Sequence, residues 1–541
     1  MIFAAILIFL PAFSGGCKSS VTSLKGVKSL ARKPGEGVYY SLFVRSFADS
    51  NGDGIGDLKG LTERLDYLND GNDSTTGDLG INGIWLLPIF PSPSYHGYDV
   101  DDYYAINPEY GTMEDFENLI AESKKRGINV MLDMTCNHSS KTNPWFTASK
   151  NPDDIHRDWY RWIYENEEGY NMHTQIFGHP LWNEDSSHPG FYYAGEFGEH
   201  MPDFNLESTE VRNEFKKIMR FWMEKGVSGF RYDAAFHIYD EIKYPLGTIE
   251  AIPMAVKWWK ELTDFNRGIN PESYSVGEVW DSSTVRASYA AGLGSTFHFN
   301  MGDKFIIPQI QTEQAGDNTY ARVLQGDYDL LRERAPGSVD APFLTNHDQA
   351  RAAGLLKGDV AREKLAAAMY LLTEGVPFVY YGEEIGMMSG TRDESKRTPL
   401  LWNSLTEDGK PKDAMQTFWA QDSDCIYNKK TVSIAEQQKD KESLLTYYKR
   451  LIRLKTSRPS LLRGKFKAVE LPFRTSKASS WMMEDGDESA LVIHNLSAEE
   501  NLQGPLPEGW TDARMIFATD SRSSADGQMD IAPLSTIVLL R

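Results

Sequence analysis

Short apolar runs alternate with longer amphipathic stretches along most of the chain. Eight runs are continuously apolar and end in polar residues, which is typical of parallel strands buried on both faces. They occupy residues 37–47, 80–90, 127–135, 226–234, 273–279, 295–300, 340–346 and 375–382. The stretches between them predict helices, and the one that begins at Thr112 has Asp115 in the capping-box position and Gly127 as a stop. The pattern therefore predicts an α/β protein with a (β/α)8 barrel, whose chemistry lies at the carboxyl ends of its strands.

Two regions depart from this alternation. About 70 residues rich in Trp, Tyr, His and Asp separate the third strand from the next helix, which is too long for a structureless loop. We interpret residues 139–203 as an inserted subdomain B, so that the barrel comprises 37–138 and 204–457. The short strand-like runs beyond it predict a C-terminal antiparallel β-sandwich at 458–541.

The N-terminal segment resembles an export signal. Residues 2–13 form an apolar run too short for a membrane span, and small residues lead from it to Cys17. This order resembles a bacterial lipoprotein signal at 1–17, cleaved just before a cysteine that becomes lipidated; the alternative is a plain secretory signal. Residues 18–36, rich in Ser, Lys and Gly, are interpreted as a tether. We expect an exported protein that contacts a membrane only through this lipid anchor.

Composition excludes some classes of partner. The net charge of −21 argues against binding to nucleic acid or to anionic membrane surfaces. The 3 cysteines do not imply a disulfide framework. Aromatic residues reach 12 % of the chain, which fits either a large core or a surface that stacks on sugars.

The stretch "DSNGDGIGD" at 49–57 is rich in oxygen ligands and begins like an EF-hand loop. It follows a strand rather than a helix, however, and its twelfth position is Gly60 where an EF-hand requires Glu. We therefore reject a calcium sensor and predict a Ca²⁺ site at the end of the first strand. Its ligands would be Asp49, Asn51, Asp53, the Ile55 carbonyl and Asp57. The alternative is an Asx- and Gly-rich turn without a metal.

Polar residues cluster where four of the predicted strands end. They are Asp133, Asn137, His138, Arg231, Asp233, His237, Glu278, Asn346, His347 and Asp348. A single carboxylate there is readily explained as structural. Three carboxylates at one mouth of a barrel, at 233, 278 and 348, favour a catalytic site instead.

Four of these segments carry a resemblance to the α-amylase family, glycoside hydrolase family 13. They are "DMTCNH", "GFRYDAAFH", "GEVW" and "FLTNHD", which match the hallmark regions of that family in order and spacing. "GINGIWLLP" and "GVPFVYYGEEIGM" resemble its second and eighth strands. The resemblance runs from about residue 37 to the C-terminus and implies a barrel, a subdomain B and a C-terminal sandwich.

The resemblance also implies roles for individual residues. Asp233 is the nucleophile, Glu278 the general acid/base and Asp348 the third carboxylate, in a double displacement that retains configuration. The implied substrate-binding residues are His96, Tyr98, His138, Arg231 and His347. Among them, Tyr98 is expected to stack on the sugar, His138 and His347 to donate hydrogen bonds to it, and Arg231 to keep Asp233 ionised.

Two motifs indicate which subgroup of the α-amylase family the chain resembles. "YHGYD" places Tyr95 where oligo-1,6-glucosidases carry an Asp that closes the far end of the pocket, so an open cleft is expected. "MPDFN" at 201–205 resembles a motif of the group intermediate between oligo-1,6-glucosidases and neopullulanases. The resemblance thus implies an endo-acting α-1,4-glucan hydrolase on starch or maltodextrins.

Other readings stay open. An exo-acting α-glucosidase or a transglycosylase is the nearer alternative, and a non-catalytic relative of transporter subunits is disfavoured because all three carboxylates are present. A second calcium at Asn137 and the His237 main-chain oxygen is left undecided. Linkage preference and the balance of hydrolysis against transfer depend on loop shapes that periodicity does not reveal.

Overall fold

The computed structural model describes residues 27–31, 33–239, 243, 246–404, 406 and 411–541. The predicted signal, with Cys17, and the first part of the tether lie outside these residues. Within the described ranges, no helix combines the length and apolar character that crossing a bilayer requires.

The centre of the molecule is a barrel of eight parallel strands. The strands are Tyr39–Leu42, Gly83–Leu86, Asn129–Thr135, Gly229–Asp233, Tyr274–Gly277, Ser295–Phe297, Val339–Ala341 and Phe378–Tyr380. The first seven strands pair in chain order, and the first also pairs with the eighth. The gap between the seventh and eighth strands is bridged where the Phe378 N–H donates to the Pro342 carbonyl at 2.9 Å. All eight predicted strands are confirmed, and every one is buried along nearly its whole length, as the continuous apolar runs indicated.

Helices surround the barrel. The longer ones are Met113–Lys125, Thr209–Glu224, Ala251–Ile269, Ser283–Leu293, Thr319–Arg334, Val360–Leu371 and Leu444–Ser457. Shorter α-helices are Val44–Phe47, Leu58–Glu63, Leu65–Leu68, Pro144–Ser149, Ile307–Thr312, Ala352–Leu355, Asp393–Lys396, Asp422–Cys425, Ile434–Gln437 and Pro459–Arg463. Single turns of 3₁₀-helix lie at Arg157–Trp159, Glu383–Ile385 and Ile426–Asn428, and a π-helix at Met301–Ile306.

The predicted capping box is present. The Thr112 hydroxyl accepts from the Asp115 N–H, and the Asp115 carboxylate accepts from the Thr112 N–H, so two N–H groups at the start of the helix are satisfied reciprocally. The helix ends at Lys125, and Gly127 follows with a φ of +71°, a conformation that glycine adopts without strain.

The long insertion after the third strand folds into small sheets. Trp162–Tyr164, Phe191–Ala194 and Trp182–Glu184 form a three-stranded antiparallel sheet, and Gln175–Ile176 pairs with His179–Pro180 in a hairpin. An isolated bridge between His138 and Asp203 joins the end of the insertion to the end of the third strand. The insertion therefore stands over the carboxyl end of the barrel.

The C-terminal region is a two-layer β-structure. One sheet contains Lys465–Ala468, Ala478–Asp485, Glu488–Asn495, Ser535–Leu540 and Arg514–Ala518, and the other contains Leu502–Pro505, Gln528–Ile531 and Ser524–Asp526. Leu491, Ile537 and Met529 pack between the two sheets, whereas Trp481 and Val492 face the barrel core. This is the sandwich that the sequence predicted.

Candidate active site

Strand register brings the predicted site residues to one mouth of the barrel. Arg231 on the fourth strand lies opposite Asp133 on the third and Val276 on the fifth. Asp233, Glu278 and Asp348 line a single cavity of about 570 Å³ with His96, Tyr98 and His138. Arg231 and His347 are buried and bond directly to residues of that lining.

One guanidinium organises the carboxylates. Arg231 Nη1 donates to Asp233 Oδ1 at 2.5 Å and to Asp133 Oδ1 at 2.9 Å, and its Nη2 donates to Glu278 Oε2 at 2.8 Å. Only 1 % of the Arg231 side chain is exposed, so these charge-assisted bonds are shielded from water. The planar guanidinium therefore holds the predicted nucleophile and the predicted acid/base side by side.

Asp133 is a central residue that we did not assign to the site from the sequence. Besides Arg231, its carboxylate accepts from the Trp85 indole N–H at 3.1 Å and from the Tyr98 hydroxyl at 3.0 Å. Asp133 is the first residue of the "DMTCNH" segment, and this position at the end of the third strand is the feature of the sequence that points to a role in the site. Its contacts with the second and fourth strands arise only when the barrel closes.

A second cluster surrounds Asp348. The Tyr98 ring stacks on His347 with centroids 5.5 Å apart, and the Tyr98 hydroxyl lies 2.6 Å from His347 Nε2. Asp348 Oδ2 lies 3.0 Å from the same nitrogen, and Arg397 donates to Asp348 Oδ1 at 3.0 Å. The Tyr98 ring also stacks on His96 and the residue is 8 % exposed. That this ring stacks on a sugar stays a prediction.

The His138 side chain is neutral. Burial lowers its pKa to about 3. Its Nδ1 lies 2.9 Å from Asn137 Oδ1 and therefore carries the proton, while Nε2 is buried with no partner among the described residues. In this tautomer, Nε2 is an acceptor. The hydrogen bond from His138 to the sugar stays a prediction.

The carboxylates differ in acidity. Burial raises the pKa of Asp233 to about 6, against the opposing charge of Arg231. Burial likewise raises the pKa of Glu278. Although burial opposes it, the neighbouring His347 and Arg397 hold the pKa of Asp348 well below its usual range. Arg231 therefore keeps Asp233 ionised above about pH 6 and not below it, because desolvation outweighs the ion pair.

A carboxyl group that the sequence did not predict, Asp393, lies beside Tyr95 in the cavity lining. The Tyr95 hydroxyl donates to Asp393 Oδ2 at 2.5 Å, and Arg397 Nη1 lies 3.0 Å from the same oxygen. Asp393 comes from the segment after the eighth strand and lines the cavity with Arg397. The Tyr in "YHGYD" therefore does not leave this end of the cavity without a carboxylate, and an open cleft does not follow from that motif.

The predicted calcium loop is held together by its own side chains. Asp49 accepts from the N–H groups of Asn51, Gly52 and Gly54, and Asp57 caps the following helix by accepting from the Gly60 N–H at 2.6 Å. Among the described residues, no group of three or more His, Cys, Asp or Glu side chains is placed to hold a metal ion. The donor set is nonetheless all oxygen, which suits Ca²⁺. Calcium at this loop stays a prediction.

The groups of the possible second calcium site also meet. The Asn137 amide donates directly to the main-chain carbonyl of His237. The two predicted ligands thus lie together at the junction of barrel and insertion, which leaves the second calcium undecided.

Comparisons with known proteins agree with this architecture. The family model described as the alpha amylase catalytic domain matches residues 41–464. The chain is 40 % identical over 467 residues to Alpha-amylase 3 of Dictyoglomus thermophilum, covering 86 % of this chain and 85 % of the relative. It is 30 % identical over 544 residues to a Glucan 1,6-alpha-glucosidase of Streptococcus pneumoniae, covering 92 % and 97 %. The crystal structure of an alpha-amylase from H. orenii superposes with a TM-score of 0.83 at 35 % identity, covering 94 % of this chain and 99 % of that one.

A barrel with paired carboxylates at its mouth defines a glycoside hydrolase site. The chain belongs to the α-amylase family, glycoside hydrolase family 13, as the family match and the relatives show. The relatives include both an amylase and a glucosidase, so the family is shown and the mode of attack is not.

Proposed function

We propose that this enzyme is an endo-acting α-1,4-glucan hydrolase that cleaves starch or maltodextrins with retention of configuration. The observation that carries the retaining chemistry is the pairing of one buried guanidinium with both Asp233 and Glu278, and the 40 % identity to Alpha-amylase 3 supports the amylase assignment. A retaining glycosidase needs a nucleophile and an acid/base at close separation, and a shared small cation supports such a spacing.

The hydrogen bonds favour particular atoms for each role. Arg231 occupies Asp233 Oδ1, which leaves Oδ2 to attack the anomeric carbon. Glu278 Oε2 accepts from Arg231 and from the Ala234 N–H at 3.0 Å, which leaves Oε1 to carry the proton for the departing glycosidic oxygen. Water then attacks the glycosyl ester, Glu278 accepts its proton, and Asp233 leaves as a carboxylate.

Asp348 serves as a permanently ionised partner for the sugar. Its depressed pKa keeps it charged across the working range, so it accepts from sugar hydroxyls and never competes with Glu278 as an acid. Together with His138, Asp348 would contact the sugar that is transferred to Asp233. The strongest contacts there are expected in the transition state.

The variants Asp233→Asn and Glu278→Gln test the assignment. Each is expected to fold like the wild type and to lose on the order of a thousandfold or more in kcat/KM on amylose, because each removes a group that makes or breaks a bond. Asp329→Asn, an exposed carboxylate on a surface helix, is the matched control and is expected to keep full activity. Turnover close to the wild type in either site variant would contradict the roles.

The mode of attack is tested by product analysis. An endo enzyme releases mixed maltooligosaccharides from amylose from the first minutes, and glucose as the sole early product would contradict endo action. The second candidate, an exo-acting α-glucosidase, is favoured by the Asp393–Arg397 pair at the far end of the cavity. Rapid hydrolysis of p-nitrophenyl glucoside, with little loss of amylose chain length, would support it.

We propose calcium at the loop of Asp49, Asn51, Asp53, the Ile55 carbonyl and Asp57. The ion would fasten the loop to the barrel and takes no part in bond cleavage. Calorimetric titration of chelated enzyme with Ca²⁺ and the melting temperature with and without chelator are the measurements. Asp53→Ala is expected to abolish any calcium-dependent rise in melting temperature, and the absence of such a rise in the wild type would contradict the site.

We also propose export and lipidation at Cys17. The measurement is detergent phase partitioning of lysates from bacterial cells that express the protein. The wild type is expected in the detergent phase and Cys17→Ser in the aqueous phase. A wild-type protein already in the aqueous phase would favour the plain secretory signal.

A further inference from the structure

The hairpin of the insertion carries an unusual residue at its tip. Ile176 pairs with His179, so Phe177 and Gly178 form a two-residue turn. Their φ angles are +49° and +85°. Turns with two positive φ angles favour Asn-Gly or Asp-Gly, and a bulky side chain in the left-handed region costs about 1–2 kcal/mol. Phe at position 177 is therefore unfavourable for the turn itself.

The Phe177 side chain is unfavourable in a second respect, because 66 % of the residue is exposed to solvent. Its ring stacks at 25° on Phe197 with centroids 5.7 Å apart and lies 5.8 Å from the His237 ring. Phe197 in turn contacts His138 at 5.1 Å. Backbone strain at a residue whose ring packs beside the cavity indicates a use outside the fold.

The position of the ring indicates what that use is. Phe177 lines the cavity that contains Asp233 and Glu278. Glu278 accepts from the Ala234 N–H, and His237, which Phe177 contacts, lies three residues further along the same segment. Because Glu278 would protonate the departing oxygen and borders this segment in the cavity, we place the sugar that leaves beside Ala234 and His237. The cluster of Tyr98, His347 and Asp348 belongs instead to the sugar that is transferred.

We propose that Phe177 is a specificity-determining residue, whose ring is a platform for the glucose unit on the leaving-group side of the scissile bond. This inference rests on the proposed function. Trp280, 46 % exposed and stacked on Phe299 at 4.5 Å, lines the same cavity and offers a second ring. The apolar face of a pyranose packs on such rings, while its hydroxyl groups stay in water.

The platform also governs what attacks the glycosyl-enzyme. A sugar held on Phe177 places a hydroxyl at the anomeric carbon; its oxygen forms the new bond, its proton passes to Glu278, and Asp233 leaves as a carboxylate. Water follows the same path when the platform is empty. Phe177 therefore increases transfer to sugar relative to hydrolysis.

The test compares two substrates with different leaving groups: maltoheptaose, which releases a sugar, and α-maltotriosyl fluoride, which releases fluoride. Fluoride departs without occupying a sugar site. Phe177→Asn removes the ring and supplies the residue that the turn favours, so its melting temperature is expected to equal or exceed that of the wild type. Its kcat/KM on maltoheptaose is expected to fall roughly 3- to 10-fold, while that on the fluoride stays unchanged. The fraction of transfer products at high maltotriose is expected to fall in parallel.

Two further variants sharpen the test. Phe177→Tyr keeps both the ring and the strain and is expected to behave like the wild type. Ile155→Asn removes an apolar side chain that is 82 % exposed in the same insertion but does not line the cavity, and no change is expected.

Three outcomes would overturn the inference: equal losses on both substrates in Phe177→Asn, no loss on either, or a Phe177→Tyr enzyme that resembles Phe177→Asn. A wild-type enzyme that is inactive on both substrates would contradict the proposed function and, with it, the role of Phe177 as a platform. The proposed function survives the first three outcomes, so the two failures are distinguishable.

Discussion

At the residue scale, the site depends on how one positive charge is shared. Arg231 is bonded to Asp133, Asp233 and Glu278, and its charge lowers the pKa of each against a larger effect of burial. Asp348, which relies on His347 and Arg397, is the carboxylate that stays fully acidic. Catalysis therefore requires a pH at which Asp233 has lost its proton and Glu278 has kept one.

The pH dependence of kcat/KM tests how Arg231 is shared between these carboxylates. The acid limb of kcat/KM is expected near pH 6, since activity is lost as Asp233 gains a proton below its pKa of about 6. The negative charge of Asp133 contributes to that raised pKa. Asp133→Asn removes this charge and frees Arg231 to pair more fully with Asp233, so the acid limb is expected to move to lower pH as kcat falls.

The exposed carboxylate Asp66 provides the control for this profile. Asp66→Asn, 68 % exposed at its side chain, is expected to leave the acid limb in place. An acid limb in Asp133→Asn that stays put or moves to higher pH would contradict the account.

At the element scale, local signals in the chain set where helices begin. The Thr112–Asp115 capping box satisfies two N–H groups of the helix Met113–Lys125, whose inner face buries Phe116 and Leu119. No residue of this helix lines the cavity, so changes in it are expected to act on stability and not on chemistry.

Removal of the cap should therefore separate these two properties. Thr112→Ala is expected to lower the free energy of unfolding by about 1 kcal/mol, because the Asp115 N–H loses its acceptor. Thr112→Ser keeps the hydroxyl and is expected to remain within a few tenths of a kcal/mol of the wild type. Chemical denaturation measures both variants. An unchanged stability in Thr112→Ala, or a fall in kcat, would contradict the assignment.

At the scale of the whole molecule, buried polar groups tie distant parts of the chain together. Glu383 follows the eighth strand, and its Oε1 accepts from the Tyr370 hydroxyl at 2.7 Å and the Tyr448 hydroxyl at 2.8 Å, on two different helices. Its Oε2 is buried with no partner among the described residues. Burial raises the pKa of Glu383 to about 8 from an ordinary value of 4.5.

This raised pKa predicts how stability depends on pH. The folded state keeps the Glu383 proton up to about pH 8, whereas the unfolded chain releases it near 4.5, so the folded state binds more protons in this window. Its contribution to stability is complete at low pH and is lost as pH rises, by on the order of a few kcal/mol.

Glu383→Gln keeps the acceptor for both tyrosines and never ionises. It is expected to flatten the decline in the free energy of unfolding between about pH 5 and about pH 8 and to stabilise the protein at the alkaline end. Glu442→Gln, at an exposed position, is the control and is expected to leave the decline unchanged. A decline as steep in Glu383→Gln as in the wild type would contradict this role.

The strands and the helix starts were accessible from the sequence because they depend on near neighbours. An apolar run buried on both faces remains apolar wherever the barrel places it, and the Thr112–Asp115 box spans three residues. The motifs at the ends of the third, fourth, fifth and seventh strands could also be recognised from the sequence. Their side chains meet because the carboxyl ends of parallel strands lie on the same side of the barrel. The side chains 233, 278 and 348 therefore converge in any closed barrel with these strands.

The groups that complete the site come together through contacts between distant parts of the chain. Asp133 meets Arg231 because two strands pair in one register, Asp393 meets Tyr95 across almost 300 residues of chain, and Phe177 reaches the cavity on a hairpin tip. No periodic pattern in the sequence predicts these contacts between distant residues, because the path of a loop depends on the surfaces against which it packs. Local patterns and motifs predicted the barrel and the carboxylates at its mouth, because both depend on near neighbours in the chain. Closure of the fold and the course of its loops set the acidity of each carboxylate and the walls of the cavity, because both depend on contacts between distant residues.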